Sequence, residues 1–417
     1  MVNICACVGY YLIWRRLKTG AASVFNRVTR MIFTAPDLNE AELRVLALIE
    51  GLRTRLRHQL HEPRRWAGSL RRVSLARAIQ GSNSIEGYEA GLDDAVDVAA
   101  GEEPLAGDEE TRLALRGYRE AMTYVLQMAD EEDFAYSTQL FKSLHFVMTS
   151  YTLANRPGRW RAGSIYVRDD GTGEVVHEGP DVDEVTALVQ ELVDALNVPP
   201  REHDRLILAA MAHLNLVMIH PFRDGNGRMA RCLQSLVLAR DGVLSPVFMS
   251  VEEYLGKNTR SYYDVLATVG GGSWQPHRDA RPWIRFMLTA HLRQARTMLR
   301  RVNESERMWS ELERLVGERR LPERTIMALF DATIGLRVRN ATYRSYYEDG
   351  PEEITEATAS RDLRLLVDED LIEPRGQKRG RVYIARPVLH EIRRKVIASR
   401  NPRDDSNPFD APGPGGA

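Results

Sequence analysis

Apolar side chains at Leu43, Leu46, Ile49, Leu52, Leu56 and Leu60 recur every three or four positions between charged residues, downstream of Pro36 and Asp37. That spacing lays one apolar stripe along one face and predicts an amphipathic helix starting near Asp37. A second helix is expected over residues 70–85. The Gly-, Asp- and Glu-rich stretch 101–110 reads as a loop, and helix resumes over 111–128. The period then changes. Residues 164–167 and 175–177 flank Asp169-Asp170-Gly171-Thr172-Gly173, a strand, turn, strand pattern that predicts one hairpin. Helical spacing returns at 182–196 and 201–219. The latter is apolar on nearly every side and is expected in the interior, stopping at His220 because Pro221 disfavours helical backbone in the residue before it.

Gly225 and Gly227 make a tight turn into a further helix, 228–240, ended by Asp241-Gly242. Helices follow at 251–268 and 281–315, separated by Gly270-Gly271-Gly272. From Leu321 the pattern shifts to short helices, then Leu371-Ile372-Glu373-Pro374, a basic turn over 375–380 and a second strand over 381–384. Helices followed by a basic two-stranded ribbon predict a winged helix-turn-helix. Its recognition helix, 358–371, offers Ser360, Arg361 and Arg364, and its wing offers Arg375, Lys378, Arg379 and Arg381. Arg393, Arg394 and Lys395 add a further basic cluster. Asp362, Asp368, Glu369 and Asp370 dilute that charge, so DNA and a docked protein are both open as partners.

The expected fold is mostly α: a helical core with one β-hairpin and a C-terminal winged helix-turn-helix. The expected divisions are an apolar and basic extension 1–30, a helical region 31–130, a catalytic core 131–317, the winged helix 318–397 and a disordered tail 398–417, rich in Pro, Gly and Asp. No internal repeat is visible.

Composition narrows the class without naming a chemistry. In 417 residues, 43% hydrophobic and 28% charged side chains fit a globular chain of two or three units. A net charge of -1 gives no global attraction to nucleic acid or anionic lipid. Cys5, Cys7 and Cys232 are too few for a disulfide framework, which points to a reducing compartment and a cytoplasmic protein. The apolar run 1–14, followed by Arg15, Arg16 and Lys18, falls short of the roughly 20 residues that span a bilayer. Its charge also lies on the wrong side for a secretory signal. It reads as an adventitious or disordered extension, with Met31 an alternative start, and no membrane partner is expected.

The chemistry concentrates at residues 220–231, His-Pro-Phe-Arg-Asp-Gly-Asn-Gly-Arg-Met-Ala-Arg. A phosphate needs backbone N–H donors and positive charge. Gly225-Asn226-Gly227 opening a helix supplies the donors, and Arg228 and Arg231, three apart, add a clamp. Asp224 beside that cradle would repel phosphate unless a cation lies between them, which points to Mg²⁺. His220, at the end of a rigid helix, is placed to take a proton from an incoming hydroxyl. Each feature alone has a plainer reading: a capping histidine, a turn, a solvated arginine pair. Their conjunction points to transfer of a nucleotide phosphate to a hydroxyl, and no Walker-type loop competes with it.

The segment resembles the Fic family, whose motif His-Pro-Phe-x-Asp/Glu-Gly-Asn-Gly-Arg-x-x-Arg it matches at every defined position. The resemblance implies a protein adenylyltransferase that moves AMP from ATP to a Ser, Thr or Tyr hydroxyl of a target protein. His220 would be the base and Asp224 the Mg²⁺ ligand. Gly225, Asn226 and Gly227 would hold the phosphates, Arg228 and Arg231 would clamp the β and γ groups, and Phe222 would pack. The hairpin, with Ile165, Tyr166 and Val167, is similar to the family's flap that holds the target, and Tyr262 with Tyr263 is similar to its adenine-pocket element. Ser82-Asn83-Ser84-Ile85-Glu86-Gly87 matches the family's inhibitory motif Ser/Thr-x-x-x-Glu-Gly/Asn, so Ser82, Glu86 and Gly87 imply a brake in which Glu86 competes for Arg231. Alternatives stay open: a nucleotide-sensing winged-helix transcription regulator, a de-AMPylating enzyme, or transfer of UMP or phosphate instead. A homo-oligomer is compatible with each.

Overall fold

The first helix, α1 (Glu40–His61), begins in a reciprocal cap that its sequence encodes. The Asn39 side chain accepts from the Ala41 and Glu42 amides at 3.0 and 3.2 Å, and the Glu42 carboxylate returns to the Asn39 amide at 2.9 Å. The computed structural model describes residues 31–61, 64–168, 171–199, 205–240, 248, 250–347, 353–377 and 380–410. The expectations for 1–30 with Cys5 and Cys7, Asp169, Asp170, the first turn of the 201–219 helix, Asp241, Gly242, Lys378, Arg379 and 411–417 lie outside the described residues.

Helices dominate, as expected: α2 (Ala67–Ser84), α3 (Leu92–Ala99), α4 (Glu109–Met128), α5 (Thr138–Thr149), α6 (Val185–Asn197), α7 (Arg205–Ile219) and α8 (Asn226–Ala239) precede α9 (Glu252–Lys257), α10 (Thr259–Gly270) and α11 (Arg281–Arg319). The all-round apolar α7 packs against α8 at the centre of the core, where both are buried along almost their whole length. The stretch expected as one helix, 251–268, is two. Asn258 breaks it, with non-helical backbone and its side-chain amide donating to Tyr254 O at 2.8 Å.

The hairpin pairs β1 (Tyr166–Arg168) with β2 (Val175–Glu178), and a short β3 (Gly272–Ser273) adds to β2 in parallel. The expected hairpin, hereafter the flap, thus gains a third strand where the run Gly270-Gly271-Gly272 predicts only a breaker. The sheet order is β1-β2-β3, which leaves the outer side of β1 as an edge.

The long α11 runs from the core into the C-terminal elements: α12 (Ile326–Ile334), α13 (Asn340–Ser345), α14 (Glu356–Asp368), the antiparallel pair β4 (Ile372–Arg375) and β5 (Val382–Ala385), and α15 (Pro387–Ala398). Asp362 is not a surface acid. Arg324 grips both its oxygens, at 2.7 and 2.9 Å, and Tyr343 donates a third bond. Ser360, Arg361 and Arg364 are exposed on α14, while Arg375 folds back on Glu373. Charged contacts tie these elements to the N-terminal helices: Arg72 of α2 to Asp331 at 2.6 Å, and Arg337 and Arg339 to Asp94 and Asp97 of α3 at 2.8 and 2.9 Å. From Ile32 onward the described residues pack as one compact unit. Residues 401–410, expected to be disordered, are instead held against α1 and α11. Asp404 pairs with Arg296, the Phe409 ring lies under Arg285, and Arg44 donates to Phe409 O.

Candidate active site

The α7–α8 junction brings the 220–231 residues together. His220 ends α7 with φ +50°, a left-handed conformation rare for any residue with a side chain. Two partners hold it there. Arg161 Nε donates to His220 O at 3.1 Å, and the Arg161 amide donates to Pro221 O at 2.8 Å. The buried Arg161 guanidinium also bonds Gly163 O and Pro180 O at the base of the flap, so one side chain stitches hairpin and histidine together.

On the ring itself, Nδ1 lies 3.0 Å from Val217 O. A carbonyl only accepts, so Nδ1 carries the proton and Nε2 keeps its lone pair. The ring retains some exposed surface but is enclosed by protein, and burial draws its pKa down to about 4, assisted by neighbouring His177 and opposed by the Val217 bond and the Glu86 charge. At neutral pH His220 is an uncharged imidazole with a free acceptor nitrogen.

The following loop is built from within. Asn226 closes it by bonding Phe222 twice, N–H to Oδ1 and Nδ2 to O, each at 2.9 Å. Its side chain is therefore committed to the loop, and its contribution to anion binding is the backbone N–H. Gly225 takes φ +74°, which favours glycine, and α8 then starts with its first N–H groups lacking intrahelical partners. A Cβ on Gly227 would meet the Glu86 carboxylate, so any side chain there would displace Glu86 from its present position.

Both arginines are buried at 1% exposure. Arg228 bonds Tyr151 OH at 3.0 Å, lies over the Tyr88 ring and stands 3.8 Å from Asp224. Arg231 donates from Nε to Ser82 Oγ at 2.8 Å and from Nη2 to Ser82 O at 2.9 Å and Glu86 Oε1 at 2.6 Å. Despite the cost of burial, the Glu86 charge pulls its pKa above the ordinary value, while its Nη1 is buried with no hydrogen-bond partner among the described residues. Ser82 and Glu86 thus meet Arg231 directly. Gly87, at φ +84°, turns the chain away just after. Asp224 accepts from Asn155 Nδ2 at 2.9 Å and is partly exposed. Among the described residues no group of three or more His, Cys, Asp or Glu side chains converges on a metal position. A lone carboxylate at the lip of an anion cradle, with phosphate oxygens and water as the remaining ligands, is the donor set Mg²⁺ accepts.

The other expected residues are less uniform. Ile165 is partly buried and Tyr166 exposed on the flap edge, with Val167 half-buried between them and Arg168. Tyr262 is 1% exposed and bonds His213 Nε2 at 2.9 Å inside a cluster with Trp283 and Phe286, so it has no surface to offer a ligand. Tyr263 is exposed and donates to Ile85 O at 3.1 Å, beside Glu86.

Sequence reading missed the supports. His145 of α5 stacks on Phe222 with ring centroids 3.7 Å apart, accepts from the Gly158 amide and donates to Asp224 O, both at 2.9 Å. Burial takes its pKa to about 4, so it stays neutral. His177 of β2 anchors the flap by donating Nε2–H to Met218 O at 2.8 Å. The spacing of Leu140, Phe141, Leu144 and Met148 after Ser137, which caps α5 through Leu140 N, carried enough signal to find the helix that bears His145. Nothing local marks Arg161 or His177, whose partners are remote in sequence.

The α7–α8 junction thus brings together a neutral histidine, a glycine-rich helix start and two buried arginines. Residues 135–238 match the Fic/DOC family. Protein adenylyltransferase Fic of Nematostella vectensis is 28% identical over 172 residues, 41% of this chain and 36% of the relative. Protein adenylyltransferase fic-1 of Caenorhabditis elegans is 36% identical over 132 residues, 31% of this chain and 22% of the relative. The chain therefore spans about a third or less of the length of these relatives. The crystal structure of a Fic family protein from Desulfovibrio desulfuricans G20 aligns over 85% of this chain and 99% of its own, with a TM-score of 0.53 and 22% identity, a likeness of fold. Among the described residues no helix is long and apolar enough to cross a membrane.

Proposed function

We propose that this chain is a protein adenylyltransferase held shut by its own Glu86. The observation that carries this reading is the Arg231–Glu86 contact at 2.6 Å beside an intact anion cradle. In the open state the triphosphate of ATP lies along the α8 N-terminus, with its β and γ groups on Arg228 and Arg231. A Ser, Thr or Tyr hydroxyl of the target reaches His220 Nε2, which removes its proton as the oxygen attacks the α-phosphorus. The bond from the α-phosphorus to the bridging oxygen breaks and pyrophosphate leaves, so AMP ends on the target oxygen. Mg²⁺, held by Asp224, would offset negative charge on the phosphates. The neutral state of His220, its fixed tautomer and its pinned backbone prepare it for that proton.

While Glu86 holds Arg231, the γ group loses its cation and ATP sits out of line for attack. Ser82 orients the arginine for that grip. The C-terminal elements fit a winged helix whose exposed Ser360, Arg361 and Arg364 face a DNA or protein partner. The test is incubation of wild type, Glu86→Gly and Glu86→Gly/His220→Ala with ATP labelled at the α-phosphate. Strong self-labelling or target labelling by Glu86→Gly alone is expected. Equal labelling of all three would overturn the reading.

A further inference from the structure

Beside the hairpin, Arg156, residues 159–165 and Arg223 bound a cavity of about 260 Å³. Arg156, Arg159 and Arg223 line it together with Trp160, Ser164, Ile165 and Arg161, whose guanidinium is committed to backbone carbonyls, and among the described residues no carboxylate does. The chain carries 58 acidic against 57 basic side chains, so three arginines without an acid are not what composition supplies. Several surface arginines pair with carboxylates, as Arg296 does with Asp404, Arg314 with Glu311 and Glu318, and Arg319 with Glu369, while others, such as Arg44 and Arg293, are bonded to backbone carbonyls. Among the described residues Arg156, Arg159 and Arg223 have no carboxylate; Arg223 makes one bond, to Ala154 O at 3.2 Å. Lys142, stacked on the Trp160 ring at 4.9 Å, adds further positive charge. Arg156 is also held at φ +53°, a conformation L side chains rarely adopt, as it closes the turn whose Asn155 grips Asp224.

Position gives the cavity its meaning. Ile165, in its wall, leads directly into β1, whose outer edge pairs with no other strand among the described residues. A segment that adds to this edge as a strand gains backbone bonds there and passes the three guanidinium groups. Planar forks of N–H donors match carboxylates, and an indole wall accommodates the aliphatic stem of a glutamate. We propose that this cavity is a docking pocket for an Asp or Glu side chain flanking the modified hydroxyl, so that the protein selects acidic target segments. The proposal rests on the flap being the target-binding edge.

The test uses full-length Glu86→Gly protein and short synthetic peptides with one central Ser, Thr or Tyr flanked by Glu, by Ala or by Lys. The Glu series should be modified about tenfold faster than the Lys series at low salt, as expected for one or two charge-assisted pairs, and the preference should shrink as salt rises. Arg156→Glu/Arg159→Glu/Arg223→Glu should reverse it, whereas Arg314→Glu should not. Fluorescence anisotropy of the same labelled peptides, read without nucleotide, gives a second measurement independent of transfer. Tighter binding of Glu peptides that is lost in the triple variant supports the pocket even if no AMP moves. Equal rates and equal binding for Glu and Lys peptides, or a preference the triple variant leaves intact, would overturn it. Failure of the transferase reading shows separately, as absence of any labelling from ATP.

Discussion

Arg231 gives Nη2 to Glu86 Oε1 at 2.6 Å and keeps Nη1 buried without a hydrogen-bond partner among the described residues. The carboxylate thus satisfies only part of a guanidinium that a phosphate could engage further. Removing Glu86 should cost the nucleotide-free protein on the order of 1–3 kcal/mol, between the values for exposed and fully buried pairs. ATP supplies replacement charge, so it should raise the melting temperature of Glu86→Gly by more than it raises that of wild type. Differential scanning fluorimetry with and without ATP checks this. Equal shifts in both proteins would mean that Glu86 and nucleotide do not compete.

The proposed brake would depend on how closely α2 approaches α9. A Cβ on Gly81 would collide with the Glu252 carbonyl, and one on Gly256 would stand 2.8 Å from Gly81 Cα. Gly81 immediately precedes Ser82, so any displacement of this turn moves the residues that hold Arg231. Gly81→Ala should destabilise the protein by about 1–3 kcal/mol, the usual cost of overpacking, and should raise labelling from ATP above wild type. Urea unfolding and labelling on one preparation read both effects. Unchanged stability would show that the two helices can part without strain.

His145 tests whether the loop needs its buried support. Its two nitrogens serve Gly158 N and Asp224 O in opposite roles, which fixes one neutral tautomer. His145→Phe keeps a ring against Phe222 but strands both backbone groups, at about 1–3 kcal/mol each. On the Glu86→Gly background this variant should label more slowly and melt lower than its parent. Labelling at the parent's rate would demote the contact to packing.

How much of this was legible depends on where the information lies. The α7–α8 site reads directly from residues 220–231 because cradle, arginines and histidine are contiguous, and the turn chemistry of Gly225 and Gly227 is local. The break at Asn258 was missed because it interrupts a continuous apolar pattern by a side-chain bond. β3 was missed because glycines read as punctuation until β2 lies alongside. Phe409 and Asp404 sit in a polar, proline-rich stretch whose partners, Arg285 and Arg296, are over a hundred positions upstream. Tyr262 and Tyr263 look equivalent in sequence, but one helical step sends the first into the core and leaves the second beside Glu86.

Acid should weaken the fold before it stops the chemistry. Burial lowers the pKa of His145 and His220 to about 4 and of His213 and His291 to about 3, whereas in the unfolded chain each titrates near 6.5. Between those values the unfolded state takes up protons that the folded state refuses, so stability rises with pH across that window and is lost as pH falls below about 6.5. Four such groups give a loss on the order of several kcal/mol by pH 4. Unfolding by urea from pH 4 to 8 should show a plateau above about 7 and a steady decline below it, steeper than a variant with His291→Leu shows. For transfer by Glu86→Gly the sign is the same but the limit differs. Glu86 draws the His220 pKa upward, so its removal moves the titration no higher than about 4. The rate should therefore carry no His220 inflection near 6.5, and an inflection there that coincided with the titration of the His220 ring followed by NMR would show that the base is not held neutral by burial.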